Sequence, residues 1–433
     1  MKRTFFSFFL VLGSLLGCFG AVASPILQIT PTATQVTVSA GSNATLTYQL
    51  QNNASATLAN LTYLTPPSTQ ITSNSTCGST LAPNASCNLV LSFSAPAQTG
   101  NLPLSLTVCA FSDKICSTVN AQNRVIVTIT PASSNVEKIY VANQGANTVS
   151  VINAATEEVI ATVNVGTAPF LPSATPDGKK VYITNTNSNN VSVIDTTTDT
   201  VLTTISVGAG PQGIAVSPDG SKVYVINGDD ASLSVISTAT DTVTQTVALS
   251  GVNQRDVIFS PDGSRAYVAA REPSAVIIFN AVTNTVIGSI NLADDSNPAG
   301  FAITPDGALL YVTSPVYSAL YIINTATNTV TGTIAATPAF FATMNLAGTR
   351  MYVTSGPGGN IVSTVNTATN TVTDTIGVNF AVDAGLNQAQ TRLYVTSRTD
   401  GTVSVIDPST NTIINTITVG IQPSGLAVSP PPS

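Results

Sequence analysis

The chain has 433 residues, of which 43% are hydrophobic and 8% charged, with a formal net charge of −7. That length exceeds one ordinary hydrophobic core and predicts two domains, or a repeat array with an appendage. Histidine and tryptophan are missing throughout, which excludes Ser-His-Asp and Cys-His catalysis, histidine-held haem or copper and the usual catalytic zinc sites. The acidic balance and scattered lysines and arginines exclude the basic stripe that a nucleic-acid partner would need.

Met1-Lys2-Arg3 precedes an apolar stretch from Phe5 to Leu16, and Ala21-Val22-Ala23 follows before Ser24. A basic start, a short apolar run and a small-x-small site predict a secretory signal peptide over residues 1–23. Leu15-Leu16-Gly17-Cys18 also fits a bacterial lipobox, so a lipid anchor at Cys18 competes with cleavage after Ala23. No later run is long and apolar enough to span a bilayer as a helix, so no transmembrane helix is expected in the mature chain. The protein is therefore expected in the periplasm, at the cell surface or outside the cell.

Residues 24–130 alternate apolar and polar side chains in short runs, as in Gln35-Val36-Thr37-Val38 and Leu89-Val90-Leu91-Ser92-Phe93, separated by Gly, Pro, Asn and Ser. This predicts a β-sandwich of immunoglobulin-like type. Without Cys18, the remaining cysteines are Cys77, Cys87, Cys109 and Cys116. In an exported chain they predict two disulfides. Cys77 with Cys87 and Cys109 with Cys116 would each close a short loop, although four cysteines allow three pairings. The stretch from Cys77 to Cys87 with Val90-Leu91-Ser92-Phe93 resembles a pattern of bacterial exported immunoglobulin-like domains, which implies a spacer or adhesion module. Residues 131–137 read as a polar linker.

From residue 138 to 433 one motif recurs, anchored on Tyr140, Tyr182, Tyr224, Tyr267, Tyr311, Tyr352 and Tyr394. The spacing of about 42 residues is that of a four-stranded propeller blade. In one repeat Val181–Asn185, Val191–Asp195 and Val201–Ile205 read as strands, Gly213–Ser217 as the strand opening the next unit, and Pro218-Asp219-Gly220 as a tight turn. The Tyr-Val-Thr, Val-Ser-Val-Ile-Asp, Ala-Thr-Asn-Thr-Val and Ser-Pro-Asp-Gly elements resemble the YVTN family of surface-layer-type propellers. The resemblance implies a seven-bladed β-propeller in an exported protein, with no single shared activity. The expected fold is all-β, with the propeller preceded by the sandwich. The array opens on the tyrosine strand and closes on Gly425–Ser429, so the last strand is expected to complete the first blade and remove an open edge.

Departures from the repeat locate candidate chemistry. Aligning the loop that leads into each innermost strand on Pro211-Gln212-Gly213 brings Phe170, Gln212, Arg255, Asp256, Phe340, Phe341 and Asp383 to the mouth of the channel. Charges among aromatics suit a small-molecule or peptide site; the competing reading is that the phenylalanines plug the channel and Arg255 pairs with a neighbouring acid. The pairs Asp229-Asp230 and Asp294-Asp295 offer carboxylates for Ca²⁺ but lack the EF-hand spacing, so solvated loop tips are the favoured reading and a calcium site the weaker one. Arg271-Glu272 and Arg398-x-Asp400 read as local ion pairs. Gly356-Pro357-Gly358-Gly359 opens no helix and reads as a turn. No cofactor is otherwise expected. These features predict a non-enzymatic binding or surface-scaffold protein with a protein, peptide or small-molecule partner; the alternative is a lactonase-like propeller hydrolase using Asp256 or Asp383 as a base.

Overall fold

The computed structural model describes residues 27–433 except 32–34, 40–42, 54, 56, 60, 65–68, 72–74, 95–99, 105, 111–114, 119–124, 131–135, 294 and 337. The expected signal peptide, Cys18 and most of the linker lie outside the described residues. Two compact units divide the chain, Met1–Ser133 and Ser134–Ser433.

In the first unit, Leu27–Pro31, Asn43–Asn52, Ser86–Ser94 and Thr69–Ile71 form one sheet in that order. Two three-stranded sheets follow. One runs Ile115–Thr118, Thr107–Ala110, Leu61–Leu64, and the other Gln35–Ser39, Val125–Thr130, Gly100–Leu104. Alternation sends Leu46, Tyr48, Leu50, Leu89 and Leu91 into a shared core with Leu106 and Val108. Cys77 and Cys87 form a disulfide. The buried Asn52 side chain pins the loop between them, donating to the carbonyls of Leu81 at 2.9 Å and Ala82 at 3.0 Å. Cys109 and Cys116 stand opposite one another in the antiparallel register of their strands; their side chains are outside the described residues.

The second unit is a β-propeller, a succession of four-stranded antiparallel sheets. One sheet runs Pro169–Ala174, Lys180–Asn185, Asn190–Asp195, Thr200–Ser206 from its inner to its outer strand, and the others repeat that order. The inner strands touch in sequence, and the last, Pro423–Ser429, touches both Ala381–Leu386 and Pro169–Ala174, so the sheets close on themselves. Pro423–Ser429 also pairs with Lys138–Asn143 from the start of the array. A ring sealed by its own termini leaves no inner edge open to another chain.

Each second strand carries a continuous apolar run because both its faces are covered; Lys180–Asn185 is buried at every position after the first. The outer strands keep one face in water, and in Thr200–Ser206 only Ile205 is buried. The turn into each outer strand holds a residue with positive φ, filled by Glu157, Asp199, Asp241, Asn284, Asn328, Asn370 and Asn411, mostly the Asn and Asp that tolerate this region best.

Those same side chains join neighbouring sheets. Tyr140 donates its hydroxyl to Asp199 at 2.7 Å, Tyr182 to Asp241 at 2.6 Å, Tyr224 to Asn284 at 2.6 Å and Tyr311 to Asn370 at 3.2 Å. Lys138 and Lys180 add ion pairs to the same aspartates at 2.8 and 2.7 Å, and Arg392 with Glu157 carries the link from the last sheet to the first at 3.0 Å. Because the Tyr182 ring is fully buried, Tyr182→Phe removes one charge-assisted hydrogen bond without opening a cavity. It is expected to lower unfolding free energy by about 1–3 kcal/mol, read as a lower urea midpoint; an unchanged midpoint would show that this link adds nothing to stability.

Candidate functional site at the mouth of the channel

Threonines two residues after the anchor tyrosines hold the inner strands from behind. Thr184 donates to the Gln212 carbonyl at 2.9 Å, and Thr313, Thr354 and Thr396 donate to the carbonyls of Phe340, Val382 and Ser424 at 2.7 Å. The side chains that follow in each inner strand are thereby free to vary. At one equivalent position round the ring the residues are Leu171, Gly213, Asp256, Gly300, Phe341, Asp383 and Gly425. Glycine at 213 is required by packing, since a Cβ there would lie 2.6 Å from the Asp256 Cα.

The two carboxylates at this position are held alike. Asp383 accepts the Leu426 N–H at 3.0 Å and the Ala384 N–H at 2.8 Å. Asp256 accepts the N–H groups of Val257 and of Phe301 in the next inner strand. Burial pushes Asp256 up to about 7, with the charge of Asp383 raising it further against the backbone N–H donors. Burial likewise pushes Asp383 up to about 6. The ring therefore brings together two acids that sequence reasoning placed at the mouth without fixing their relation.

Phe340 and Phe341 are 8% and 7% exposed and pack with Leu171, Ala299 and Val382, with Phe170 at the margin. The rings of Phe340 and Phe341 meet edge to face with centroids 4.8 Å apart, and Phe170 lies 6.5 Å from Phe341. Gly356 makes room for this packing, because a Cβ on it would sit 2.5 Å from the Phe340 ring. Phe340 and Phe341 are therefore largely buried among apolar neighbours.

The expected acid partner of Arg255 is replaced by an amide: Arg255 donates to Gln212 Oε1 at 2.6 Å. Arg255 reaches back to the preceding sheet while Asp256 reaches forward to the next, as successive strand residues must, so the two neighbours do not pair. The expected ion pairs Arg271–Glu272 and Arg398–Asp400 are also corrected. Salt bridges among the described residues are Lys138–Asp199, Lys179–Asp177, Lys180–Asp241 and Arg392–Glu157. Glu272 instead accepts from Asn253 at 3.3 Å, and Asp400 from Ser397 at 3.0 Å and Asn379 at 3.1 Å. Arg398 donates to Gln144 and to Gln422 and lies 5.9 Å from the centre of the Phe380 ring. Arg271, which lies near enough to Arg255 to feel its charge, and Arg398 were both misread from sequence as members of ion pairs. Both stand four residues after an anchor tyrosine, where the other repeats have Gln144, Thr186, Gly228, Pro315 and Gly356; comparing that position would have found them.

The acidic loop pairs do not assemble with further acids. Asp229 and Asp230 are exposed, and Asp230 accepts the Ala209 N–H. Asp294 is outside the described residues, and Asp295 occupies a positive-φ turn position. Among the described residues no group of three or more acidic, cysteine or histidine side chains gathers to hold a metal, and no helix is long and apolar enough to cross a membrane.

No known family model matches this sequence, and no curated protein does. Solved structures resemble the fold. Hydrazine synthase from Kuenenia stuttgartiensis matches at 21% identity and TM-score 0.60, covering 64% of this chain and 94% of its own. The dihydro-heme d1 dehydrogenase NirN matches at 15% and 0.55, covering 68% and 76%. A Bacteroides fragilis protein with a provisional 6-phosphogluconolactonase assignment matches at 17% and 0.58, covering 69% and 99%. At these identities the likeness is one of fold.

A raised carboxylate pKa means that the folded protein binds more protons than the unfolded chain, whose aspartates titrate near 4. The associated stability is present at acid pH and lost as pH rises through about 6 and about 7. With no histidine in the chain, little else titrates there; Glu137, raised by burial, contributes a slope of the same sign at lower pH. The melting temperature is expected to fall between about pH 5 and about pH 7 and to level off above that, and the D256N/D383N variant to lose most of that fall. A slope unchanged in the double variant would remove the two aspartates as its source.

Proposed function

We propose that this is an exported, non-enzymatic binding protein: a surface-layer-type propeller of seven blades that takes a small ligand or peptide at the mouth of its channel, carried on an immunoglobulin-like module. The observation that carries the reading is that Arg255 and Arg271 lie close together without a salt bridge, in a ring whose inner strands also hold the apolar cluster of Phe340 and Phe341. Folding gains little from cations left uncompensated in partly buried positions. A ligand that supplies the missing interactions gives them a use, and the rigid, space-filling aromatics give it a preformed surface. The repeat match and the signal-peptide pattern support the exported, surface-layer assignment.

A hydrolase of lactonase type is the second reading, favoured by one observation. Asp256 and Asp383, near about 7 and about 6, are poised to exchange protons near neutral pH, as a general base must. The lactonase-like neighbour shares only the fold, so the chemistry of this reading rests on the two aspartates.

Thermal denaturation of the mature chain against divalent metals, sugars, lactones and peptides separates the two, because a ligand of the folded state raises its stability by mass action. The binding reading expects a rise in melting temperature with at least one compound, lost in Arg255→Ala, and lactone hydrolysis at the background rate. Hydrolysis that drops by about 100-fold or more in Asp256→Asn, with the fold intact, would replace it with the hydrolase.

A further inference from the structure

We propose that the mouth binds a carboxylate, gripped by the guanidinium of Arg271 with Arg255 beside it, where Gln254 and Asn297 leave side-chain oxygens without a protein partner. The inference rests on the binding reading above and specifies its ligand.

The repeat is most irregular here. The interval from Tyr267 to Tyr311 is the longest in the array, and its loop Leu292-Ala293-Asp294-Asp295-Ser296-Asn297-Pro298-Ala299-Gly300 has two residues more than its counterpart Val207–Gly213. Asp295 takes positive φ, at 59°.

Polar atoms without protein partners concentrate in the same place. Arg271 Nε, Gln254 Oε1 and Asn297 Oδ1 are buried and make no hydrogen bond within the protein. Such orphans are uncommon in native interiors. They share one neighbourhood: Gln254 pairs with Ala270, the residue before Arg271, and the Ser274 hydroxyl donates to the Arg271 carbonyl at 3.1 Å while accepting the Asn297 N–H at 3.3 Å. Gln254 is completely buried and donates its amide to the Ser250 carbonyl at 3.1 Å, which leaves its oxygen as an acceptor. Arg271 and Arg255 lie close enough for the charge of Arg255, after burial, to lower the pKa of Arg271. Glu272 is near enough to oppose that effect but forms no salt bridge with Arg271.

A planar guanidinium with free N–H groups selects a planar two-oxygen anion, which it can meet with two parallel hydrogen bonds. A single negative charge is preferred over a doubly charged phosphate, because Asp256 immediately follows Arg255 and its carboxylate, with that of Asp383, would repel the second charge. The acceptor oxygens of Gln254 and Asn297 complement hydroxyl or amine donors on the rest of the ligand. The inferred class is therefore a small monocarboxylate bearing hydrogen-bond donors.

The test is calorimetric titration of the full mature chain with D-glucuronate, with D-glucose as the uncharged counterpart and inorganic phosphate as the competing anion. Glucuronate is expected to bind with a millimolar or lower dissociation constant, glucose and phosphate at least about tenfold more weakly. Arg271→Gln is expected to weaken glucuronate at least about tenfold and, by removing an unpartnered charge, to keep or raise the melting temperature of the ligand-free protein. Arg271→Lys, which keeps the charge and loses the fork, should also bind weakly, whereas Arg392→Gln, in the ion pair with Glu157, should bind normally. Glucuronate binding unchanged in Arg271→Gln would overturn the proposal, as would phosphate binding as tightly or glucuronate not binding at all. A different ligand from the wider panel, lost in Arg255→Ala but indifferent to Arg271→Gln, would leave the binding reading standing and end the carboxylate assignment alone.

Discussion

The propeller depends on one recurring contact: a tyrosine buried in the second strand of one sheet meets the turn of the next. That turn needs a residue with positive φ, and Asn or Asp meets the need while offering an oxygen to accept the tyrosine hydroxyl. One residue thus satisfies a backbone demand within its own sheet and a hydrogen-bond demand from its neighbour. Lys138 and Lys180 reinforce the contact with ion pairs whose side chains are only 4–25% exposed. Pairs in such positions hold geometry better than solvated surface pairs do. Tyr394 and Arg392 meet the first sheet at Ala154 and Glu157, so the same device spans the joint between the two ends of the array.

The residues after each tyrosine extend that logic inward. Threonine at the second place reaches the inner strand of the next sheet. Asparagine at the third place, as Asn143, Asn185 and Asn227, donates to serines on its own third strand, Ser150, Ser192 and Ser234, each at 2.9 Å. The inner strands are consequently fixed by their carbonyls and by groups behind them. Their outward side chains carry little of the burden of closure, which is why one ring position can accommodate glycine, leucine, phenylalanine and aspartate. The scaffold contacts recur, and the chemistry of the mouth differs from sheet to sheet.

This division also explains how much the sequence disclosed. The tyrosine interval, the apolar second strands and the Pro-Asp-Gly turns are local signals, and they led directly to a propeller of four-stranded sheets. Repeat alignment brought Arg255, Asp256 and Asp383 to one end of the channel because equivalent positions must share a height in the ring. It failed where a contact depends on the direction of a side chain. Arg255 was expected to find an acid and found Gln212. Arg271 and Glu272 looked paired by adjacency, although successive residues in a strand point to opposite faces. The phenylalanines were visible as aromatics in a loop, but whether they filled space or stood open required the rotation of each ring and the glycine at 356.

The arrangement of charge at the mouth is the part that folding alone does not account for. The chain holds 21 acidic residues against 14 basic ones, so a carboxylate for each guanidinium was available in composition. The two ring aspartates are instead turned forward onto backbone N–H groups, where burial holds them near neutral pKa values, while Arg255 faces the Gln212 amide and the Arg271 Nε has no protein partner. An ion pair between the two sets would have quieted both, lowering the carboxylate pKa values and supplying the guanidinium fork. Keeping them apart leaves acid and base groups within one channel, each free to interact with a molecule that is not part of the chain. The proposed ligand, with an anionic end and neutral donor groups, would set its charge against the arginines and its donors toward the amide oxygens. Stability forgone at the mouth is compatible with a closed ring because the tyrosine links and the threonine links lie elsewhere, and neither passes through the side chains of Arg255 or Arg271.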